Sequence, residues 1–231
     1  MCTVTYVPAC GERVVTANRD EVPFRNADGL SLHSNVQGSD FFIAKEPLHG
    51  GTNLAIGANF TTVLLNGAFY DHRRQPNYRK SRGLIVLDSL NLETLNQLKP
   101  NYLAGVESFT LLRFGSRIEE LRWDEMKVYF RTHDPRKSLI VASAKLYDSE
   151  VLEKRQIWFN RLFESGHPDR NKIWDFHLNG GDGDPENDMN MNRMDMVRTV
   201  SITQVSTSTT EKQVKHLDLV REKEKTFTLE S

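Results

Sequence analysis

Residues 2–21 read CTVTYVPACGERVVTANRDE, and this stretch decides the fold because it predicts an antiparallel hairpin at the N-terminus. Its two arms, residues 2–7 and 13–18, are rich in β-branched side chains, which favour strands. The segment between them, residues 8–12, contains Pro and Gly and is typical of a turn. The chain is therefore expected to begin with two paired strands.

The register of this hairpin determines which residue lies beside Cys2. A pairing of Val7 with Arg13 places Asn18 opposite the cysteine. A slip of one residue places Arg19 there instead, and the pattern leaves both registers open. In either register the thiol comes beside the polar end of the second arm.

Cys2 follows the initiator Met1, which is generally removed before a residue as small as Cys. An N-terminal Cys carries a thiol and an α-amino group that titrates near pH ~7.7–8.0. The unprotonated amine can take the proton of the thiol, so one residue supplies a nucleophile and its base. The alternative is that Cys stands at this position by chance.

The polar residues at the end of the second arm suit a thiol site. A guanidinium such as that of Arg19 stabilises a thiolate or binds an acidic group of a substrate. The Asp20 carboxylate can orient an α-amino group through a hydrogen bond. The alternative is a weak surface ion pair at a strand end, with Asn18 as a turn residue.

Composition narrows the class of protein. Lys plus Arg number 30 and Asp plus Glu number 31, and the resulting net charge of −1 argues against a nucleic-acid partner. The length of 231 residues suits one domain over residues 1–231. No apolar run approaches the roughly 20 residues of a membrane span, and no secretory signal is visible. The two cysteines fit a reducing compartment, so we expect a cytoplasmic protein.

The rest of the chain predicts more strands than helices. Strands are expected within residues 50–69, at 199–206, and in a meander of 109–114, 118–123 and 127–131 that 138–144 continues. Helices are expected at residues 82–90, at 92–98 and from Ser149, as its N-cap, to about Phe163. The buried face of the last is expected to carry Leu152, Trp158, Phe159 and Leu162. Residues 180–196 predict an irregular excursion, and residues 211–225 either a last hairpin or a solvated tail. This order predicts an α+β fold with helices packed on antiparallel sheets.

Three further features have competing interpretations. Asn66 ends an apolar run and suits an oxyanion donor, but Asn-Gly is also a common turn signal. Arg82 closes a basic segment that starts at His72 and either meets a phosphate or carboxylate or is an exposed loop. The seven histidines lack zinc-binding spacing, and the acidic stretch 182–188 lacks the Gly of a calcium loop.

Several separate segments together resemble the NRDE family, which includes transport and Golgi organization protein 2. The segments are Met1-Cys2-Thr3 with Thr5-Tyr6, Asn18-Arg19-Asp20-Glu21, Gly50-Gly51-Thr52, Leu64-Leu65-Asn66-Gly67, Ser81-Arg82-Gly83-Leu84 and Thr199-Val200-Ser201-Ile202-Thr203. Their order and spacing match from the first residue to about residue 205.

This family in turn resembles the N-terminal-nucleophile hydrolases that use Cys, such as choloylglycine hydrolase and penicillin V acylase. The resemblance implies a four-layer αββα sandwich of antiparallel sheets and cleavage of a non-peptide amide bond in a small molecule, with no cofactor required. It implies Cys2 as nucleophile with Arg19 and Asp20 as its partners, and Asn66 as oxyanion donor. The expected substrate-binding residues are Asn18, Glu21, Arg82 and Arg155, the last as a candidate for a later arginine of these hydrolases.

The same resemblance also implies a different function. Members of the family are implicated in haem mobilisation and in handling acyl-CoA or lipid-related metabolites. Haem is therefore a possible ligand by resemblance, although the chain has no Cys-Pro haem motif. A non-catalytic carrier on the hydrolase scaffold is the alternative to an amidase.

Overall fold

The computed structural model describes residues 2–9, 11–34 and 40–230. In chain order its strands are β1 (Cys2–Ala9), β2 (Glu12–Glu21), β3 (Leu30–Ser34), β4 (Asp40–Ala44), β5 (Leu54–Gly57), β6 (Thr61–Asn66), β7 (Phe109–Phe114), β8 (Ile118–Trp123), β9 (Val128–His133), β10 (Leu139–Ala142), β11 (Asn192–Arg193), β12 (Val197–Thr207), β13 (Glu211–Asp218) and β14 (Lys223–Glu230). Its helices are α1 (Arg82–Ser89), α2 (Pro100–Leu103), α3 (Ser149–Arg161) and α4 (Arg170–Asn179), with short 3-10 helices at Pro23–Arg25 and Leu95–Gln97.

The chain divides into two compact units, and each is built around one antiparallel sheet. The first unit comprises residues 1–26, 136–142 and 147–231, and the second comprises 27–135 and 143–146. The predicted α+β class is confirmed, since antiparallel sheets dominate and helices are few. The single domain over residues 1–231 stays a prediction. No helix in the described ranges is long and apolar enough to cross a membrane.

The sheet of the first unit has the strand order β10-β1-β2-β12-β13-β14, with β11 paired to β12. The predicted N-terminal hairpin is confirmed, and its register is the second of the two that the sequence left open, with Cys2 opposite Arg19. Cys10, in the predicted turn, lies outside the described residues. The C-terminal segment forms the hairpin β13–β14, not a solvated tail.

The sheet of the second unit is a meander in which β3 to β9 pair in sequence order. The strands predicted at 109–114, 118–123 and 127–131 are confirmed as β7, β8 and β9. The predicted continuation of this meander is wrong, because β10 pairs with residues 3–6 of β1 in the other sheet.

The helices follow local signals only in part. α1 confirms the helix predicted at 82–90, but residues 92–98 form only a 3-10 turn, whose N-cap Thr94 is bound by the Glu119 carboxylate. Asp148 caps α3 by accepting a hydrogen bond from the Val151 N–H, so the predicted cap at Ser149 is wrong by one position. α4 was not predicted, because its apolar spacing is weak and its polar content high.

Each unit has its own apolar core. In the first unit, side chains of the β1–β2 hairpin pack against α3 and α4, and the buried cluster contains Val7, Ala9, Val14, Trp158, Phe159, Ile173, Phe176 and Met189. In the second unit α1 packs on the meander, and that core includes Ile43, Ala55, Leu64, Ile85, Val86, Leu111 and Trp123. The core of the first unit holds the hairpin that carries Cys2.

Candidate functional site

Cys2 and Arg19 are direct partners across the first hairpin. Both are buried, and directly opposed residues of antiparallel strands share one face of the sheet. The Arg19 guanidinium donates through Nη2 to the Arg25 carbonyl at 3.0 Å, which fixes one end of it. A guanidinium on the same face favours the thiolate over the thiol, so this face is the candidate reactive face.

Asp20 lies on the opposite face, because successive side chains of a strand alternate. Tyr147 Oη donates to one carboxylate oxygen of Asp20 and Thr199 Oγ1 to the other, both at 2.8 Å. The carboxylate is fully buried. Through these two hydrogen bonds Asp20 links β2 to β12 and to the segment just before α3. The role of Asp20 as a partner of Cys2 stays a prediction.

Asn18 also faces away from Arg19, and it holds α4. Its side-chain Nδ2 donates to the carbonyls of His177 at 2.9 Å and Met189 at 2.7 Å. Its Oδ1 lies 2.6 Å from His177 Nδ1, and His177 Nε2 lies 2.8 Å from Thr5 Oγ1. Both amide hydrogens of Asn18 are engaged inside the first unit, which is the pattern of a structural anchor.

Arg155 is fully buried on the same side as Asn18. Its Nη1 donates to Thr3 Oγ1, and its Nη2 donates to the carbonyls of Asn187 at 3.0 Å and Asp188 at 2.7 Å. Its Cζ lies 3.8 Å from the centre of the Tyr147 ring. The structure thus places Arg155 as a clamp between β1 and the loop after α4, and the predicted contact with substrate stays a prediction.

Tyr147 and His177, both buried behind the hairpin, are neutral at pH 7. Burial raises the pKa of Tyr147 well above its ordinary value, and the neighbouring Asp20 adds to this effect. Burial lowers the pKa of His177 to about 3, with the Arg155 charge acting in the same direction. The hydroxyl of Tyr147 is therefore a donor to Asp20, and His177 binds Asn18 as a neutral imidazole.

Glu21 ends β2 at the rim of the candidate face. Its Oε1 accepts a hydrogen bond from the Val22 N–H at 3.0 Å, and Arg25 Nη1 lies 3.7 Å from Oε2. Burial raises the pKa of Glu21, but the positive charge of the N-terminus, this hydrogen bond and the Arg25 charge together outweigh it, so the pKa lies below its ordinary value. Glu21 is a carboxylate at neutral pH, and its substrate contact stays a prediction.

The candidate face continues from Arg19 across β12 and β13. Ser201 is the partner of Arg19, and His216 is the partner of Thr203. His216 Nδ1 lies 2.8 Å from Thr203 Oγ1, and burial lowers the pKa of His216 to about 4 although Asp218 opposes this shift. A neutral imidazole thus lies on the same sheet face as the thiol.

Sequence reasoning missed Tyr147, His177 and His216. Tyr147 is 127 residues from Asp20 and His177 is 159 residues from Asn18, so no local spacing connects them. A weak signal existed for Thr199, which opens one of the segments that resemble the NRDE family.

Asn66 and Arg82 belong to the second unit. Asn66 ends β6, where its carbonyl accepts from Ser143 Oγ at 2.7 Å, and the next residue, Gly67, has φ of +83°. Arg82 begins α1, and its Nη1 donates to the Ser108 carbonyl at 3.2 Å. The turn interpretation of Asn-Gly fits this geometry, and the oxyanion and substrate roles stay predictions.

No group of three or more His, Cys, Asp or Glu side chains in the described ranges is arranged to hold a metal ion. One face of the sheet of the first unit carries a thiol, a guanidinium and a neutral imidazole.

The chain is similar in structure to penicillin V acylase from Agrobacterium tumefaciens, with a TM-score of 0.55 and 9% sequence identity. The likeness covers 100% of this chain and 86% of the acylase chain. The fold of this chain is therefore similar to that of the acylase. No family model matches the sequence, and a comparison with curated proteins finds no match either. At this level of identity the likeness concerns the fold alone.

Proposed function

We propose that this chain is an N-terminal-nucleophile hydrolase that cleaves a non-peptide amide bond in a small molecule, with Cys2 as nucleophile. The observation that carries the proposal is the placement of Cys2 directly opposite Arg19, in a chain whose fold is similar to that of an acylase. Membership of the NRDE family, the four-layer αββα order and a cytoplasmic location belong to the same proposal.

The proposed reaction uses the processed N-terminus. After removal of Met1, the α-amine takes the thiol proton, and the thiolate attacks the amide carbon. The C–N bond then breaks, and the leaving amine receives the proton. Water attacks the thioester, which releases the acid and restores the thiol.

The hairpin supports this reaction in two ways. Arg19 lowers the energy of the thiolate through its charge. Asp20 lies one position beyond the partner of Cys2, toward the start of β1, where a carboxylate would be needed to orient the α-amine. Tyr147 and Thr199 already hold this carboxylate in place. The oxyanion role of Asn66 comes from the resemblance and stays a prediction.

The N-terminus gives the first test. 2-Cyanobenzothiazole condenses with a 1,2-aminothiol and therefore reacts with an N-terminal Cys and not with an internal one. We expect intact mass to show loss of Met1 and a single adduct. Cys10→Ser should keep the adduct and Cys2→Ser should lose it, which makes the second cysteine a matched control. Retention of Met1 in the protein isolated from cells would contradict the mechanism.

Turnover gives the second test. A panel of chromogenic N-acyl anilides should identify a hydrolysed substrate, and Cys2→Ala should abolish its turnover while Cys10→Ser retains it. Quenched mass spectrometry should find the acyl group on the N-terminal peptide. Equal turnover by wild type and Cys2→Ala would exclude Cys2 as nucleophile.

Haem carriage, the second function that the resemblance implies, stays a prediction. An open cleft of about 560 Å³ beside α4 has a lining without His, Cys, Met or Tyr, the usual axial ligands of haem; it consists of Arg161, Leu162, Ser165, Asp169, Asn171, Lys172, Asp175, Phe176, Asn179 and Gly180. The ring nitrogens of His177 both have hydrogen-bond partners. A haem titration checks this directly: a Soret band that survives in Cys2→Ala and Arg19→Ala would favour the carrier over the hydrolase.

A further inference from the structure

Four basic groups surround one buried carboxylate in the second unit. The Glu107 side chain is 6% exposed, and Lys145 Nζ lies 3.1 Å from its Oε1. Arg82 Nη2 and His72 Nε2 each lie 3.2 Å from a Glu107 oxygen, and Arg74 Nε lies 3.7 Å away. We call these five residues the Glu107 cluster.

The charges of the Glu107 cluster do not cancel. Arg74, Arg82 and Lys145 bring three positive charges, while the negative groups are Glu107 and the adjoining Glu125, whose Oε1 lies 3.5 Å from His72 Nε2. Burial raises the pKa of Glu107, but Arg82 and Lys145 outweigh it, so the pKa lies below its ordinary value and Glu107 is ionised at neutral pH. One positive charge remains in excess.

The excess charge faces solvent. The side chains of Arg82, Lys145 and His72 are 17%, 20% and 21% exposed, whereas the carboxylate that holds them is buried. Of the two exposed residues that flank His72, Asp71 is acidic and Arg73 basic, so they cancel each other. Glu125 is 28% exposed, but Arg74, at 71%, is the most exposed charged side chain of this group, and an exposed cation attracts carboxylate or phosphate oxygens.

Exposed aromatic residues directly precede the His72 segment of the Glu107 cluster in the chain. Tyr70 is 83% exposed and precedes His72 by two residues, and Phe69 packs edge-on against Tyr129 with ring centres 4.9 Å apart. Arg122 lies over the Phe69 ring, with its Cζ 5.0 Å from the ring centre. Phe69, Tyr70 and Tyr129 form what we call the aromatic patch, an apolar surface next to an excess of positive charge.

We propose that the Glu107 cluster and the aromatic patch together bind a small organic anion. Its carboxylate, sulfonate or phosphate group lies against Arg82, Lys145 and His72, and its apolar part rests on Tyr70 and Phe69. Charge complementarity selects the anion, and the exposed rings give the apolar part a surface from which water is displaced. The inference shares Arg82 with the predicted substrate-binding residues, but its test measures binding alone, so it can fail separately from the proposed hydrolysis.

Fluorescence titration of the full chain with 1-anilinonaphthalene-8-sulfonate tests the proposal, with N-phenyl-1-naphthylamine as the same aromatic body without the sulfonate. Lys145→Gln and Arg82→Gln should each weaken binding of the sulfonate about tenfold, the effect of one charge-assisted hydrogen bond. Arg117→Gln, an equal charge change on the exposed β7–β8 turn, should change it less than about twofold. Tyr70→Ser should weaken binding of both dyes.

Wild-type protein provides a test that needs no variant. Benzenesulfonate and benzoate should displace the bound sulfonate dye, whereas the neutral benzenesulfonamide should not, and inorganic phosphate should compete more weakly than either aromatic anion. The proposal is overturned if benzenesulfonamide competes as well as benzenesulfonate. It is also overturned if Lys145→Gln and Arg82→Gln, with unchanged thermal unfolding, bind the sulfonate as tightly as Arg117→Gln does.

Discussion

At the scale of single residues, neighbours on β2 have different roles because a strand alternates its side chains. Asn18 and Asp20 point to the helix side and are bonded to His177 and Tyr147. Arg19, between them, shares the other face with Cys2. In the segment 18–21, which resembles the NRDE family, Asn18 and Asp20 therefore hold neighbouring elements in place, and Arg19 lies on the face of the thiol.

Glu120 gives a prediction at the same scale. His133 Nε2 lies 2.6 Å and Arg131 Nη2 2.8 Å from this almost fully buried carboxylate, and Arg122 contacts its other oxygen. Burial raises the pKa of Glu120, but these partners outweigh it and lower the pKa to about 2. Since the folded pKa lies below the unfolded one, the stabilisation is complete above about pH 4.5 and is lost as the pH falls toward 2.

We therefore expect Glu120→Gln to lower the free energy of unfolding by about 3 kcal/mol at pH 7, and by less at pH 3, in urea titrations. The matched control is Glu224→Gln, which breaks an ion pair to Lys215 at 3.3 Å on a half-exposed carboxylate. That change should cost less than about 1 kcal/mol. Similar losses from both substitutions would contradict the prediction.

At the scale of elements, two glycines allow α1 to start against the loop before β5. The Thr52 N–H donates to the Gly83 carbonyl at 3.1 Å. A Cβ on Gly83 would lie 2.9 Å from Thr52 N, and one on Gly51 would lie 2.8 Å from Gly83 C. Two segments that resemble the NRDE family therefore meet here, and the close approach of their backbones explains both glycines.

The substitution Gly83→Ala distinguishes the effect of this backbone contact on stability from the effect of helix propensity. Propensity alone predicts that Ala stabilises α1 by about 1 kcal/mol. The close approach predicts the opposite sign, a loss of about 1–3 kcal/mol, because the obstacle is backbone and cannot rotate away. Thermal unfolding measures the sign, and Ser81→Ala at the same helix end is the control, since Ser81 makes no side-chain capping bond. A Gly83→Ala variant that is more stable than the wild type would show that the backbone at Thr52 moves to accommodate the added methyl group.

At the scale of the whole molecule, buried neutral histidines couple stability to pH. The pKa of His177 is lowered to about 3 and that of His216 to about 4, in both cases mainly by burial. In the unfolded chain an imidazole takes up a proton near pH 6.5. Between these limits the unfolded state binds more protons, so acid favours unfolding.

We expect the free energy of unfolding to fall as the pH is lowered from 6.5 toward 4.5, with a slope of up to about 2.7 kcal/mol per pH unit for two protons. His216→Asn should remove about half of the slope, and His167→Asn, at an exposed position, should leave it unchanged. Urea denaturation at half-unit pH steps gives the slope. A flat profile in this window would mean that the folded protein accepts these protons.

Local sequence patterns are enough to predict the N-terminal hairpin, the meander strands β7 to β9, the helix α1 and the α+β class, because β-branched runs, turn residues and apolar spacing act over a few neighbouring residues. They also bring Cys2 beside the polar end of β2. Tertiary structure decided that Arg19 faces the thiol, that Asp20 binds Tyr147 and Thr199, and that β10 joins β1. Each of these depends on pairings between residues far apart in the chain, and the free energy of those pairings comes from burial and from satisfying buried polar groups, which no local pattern encodes.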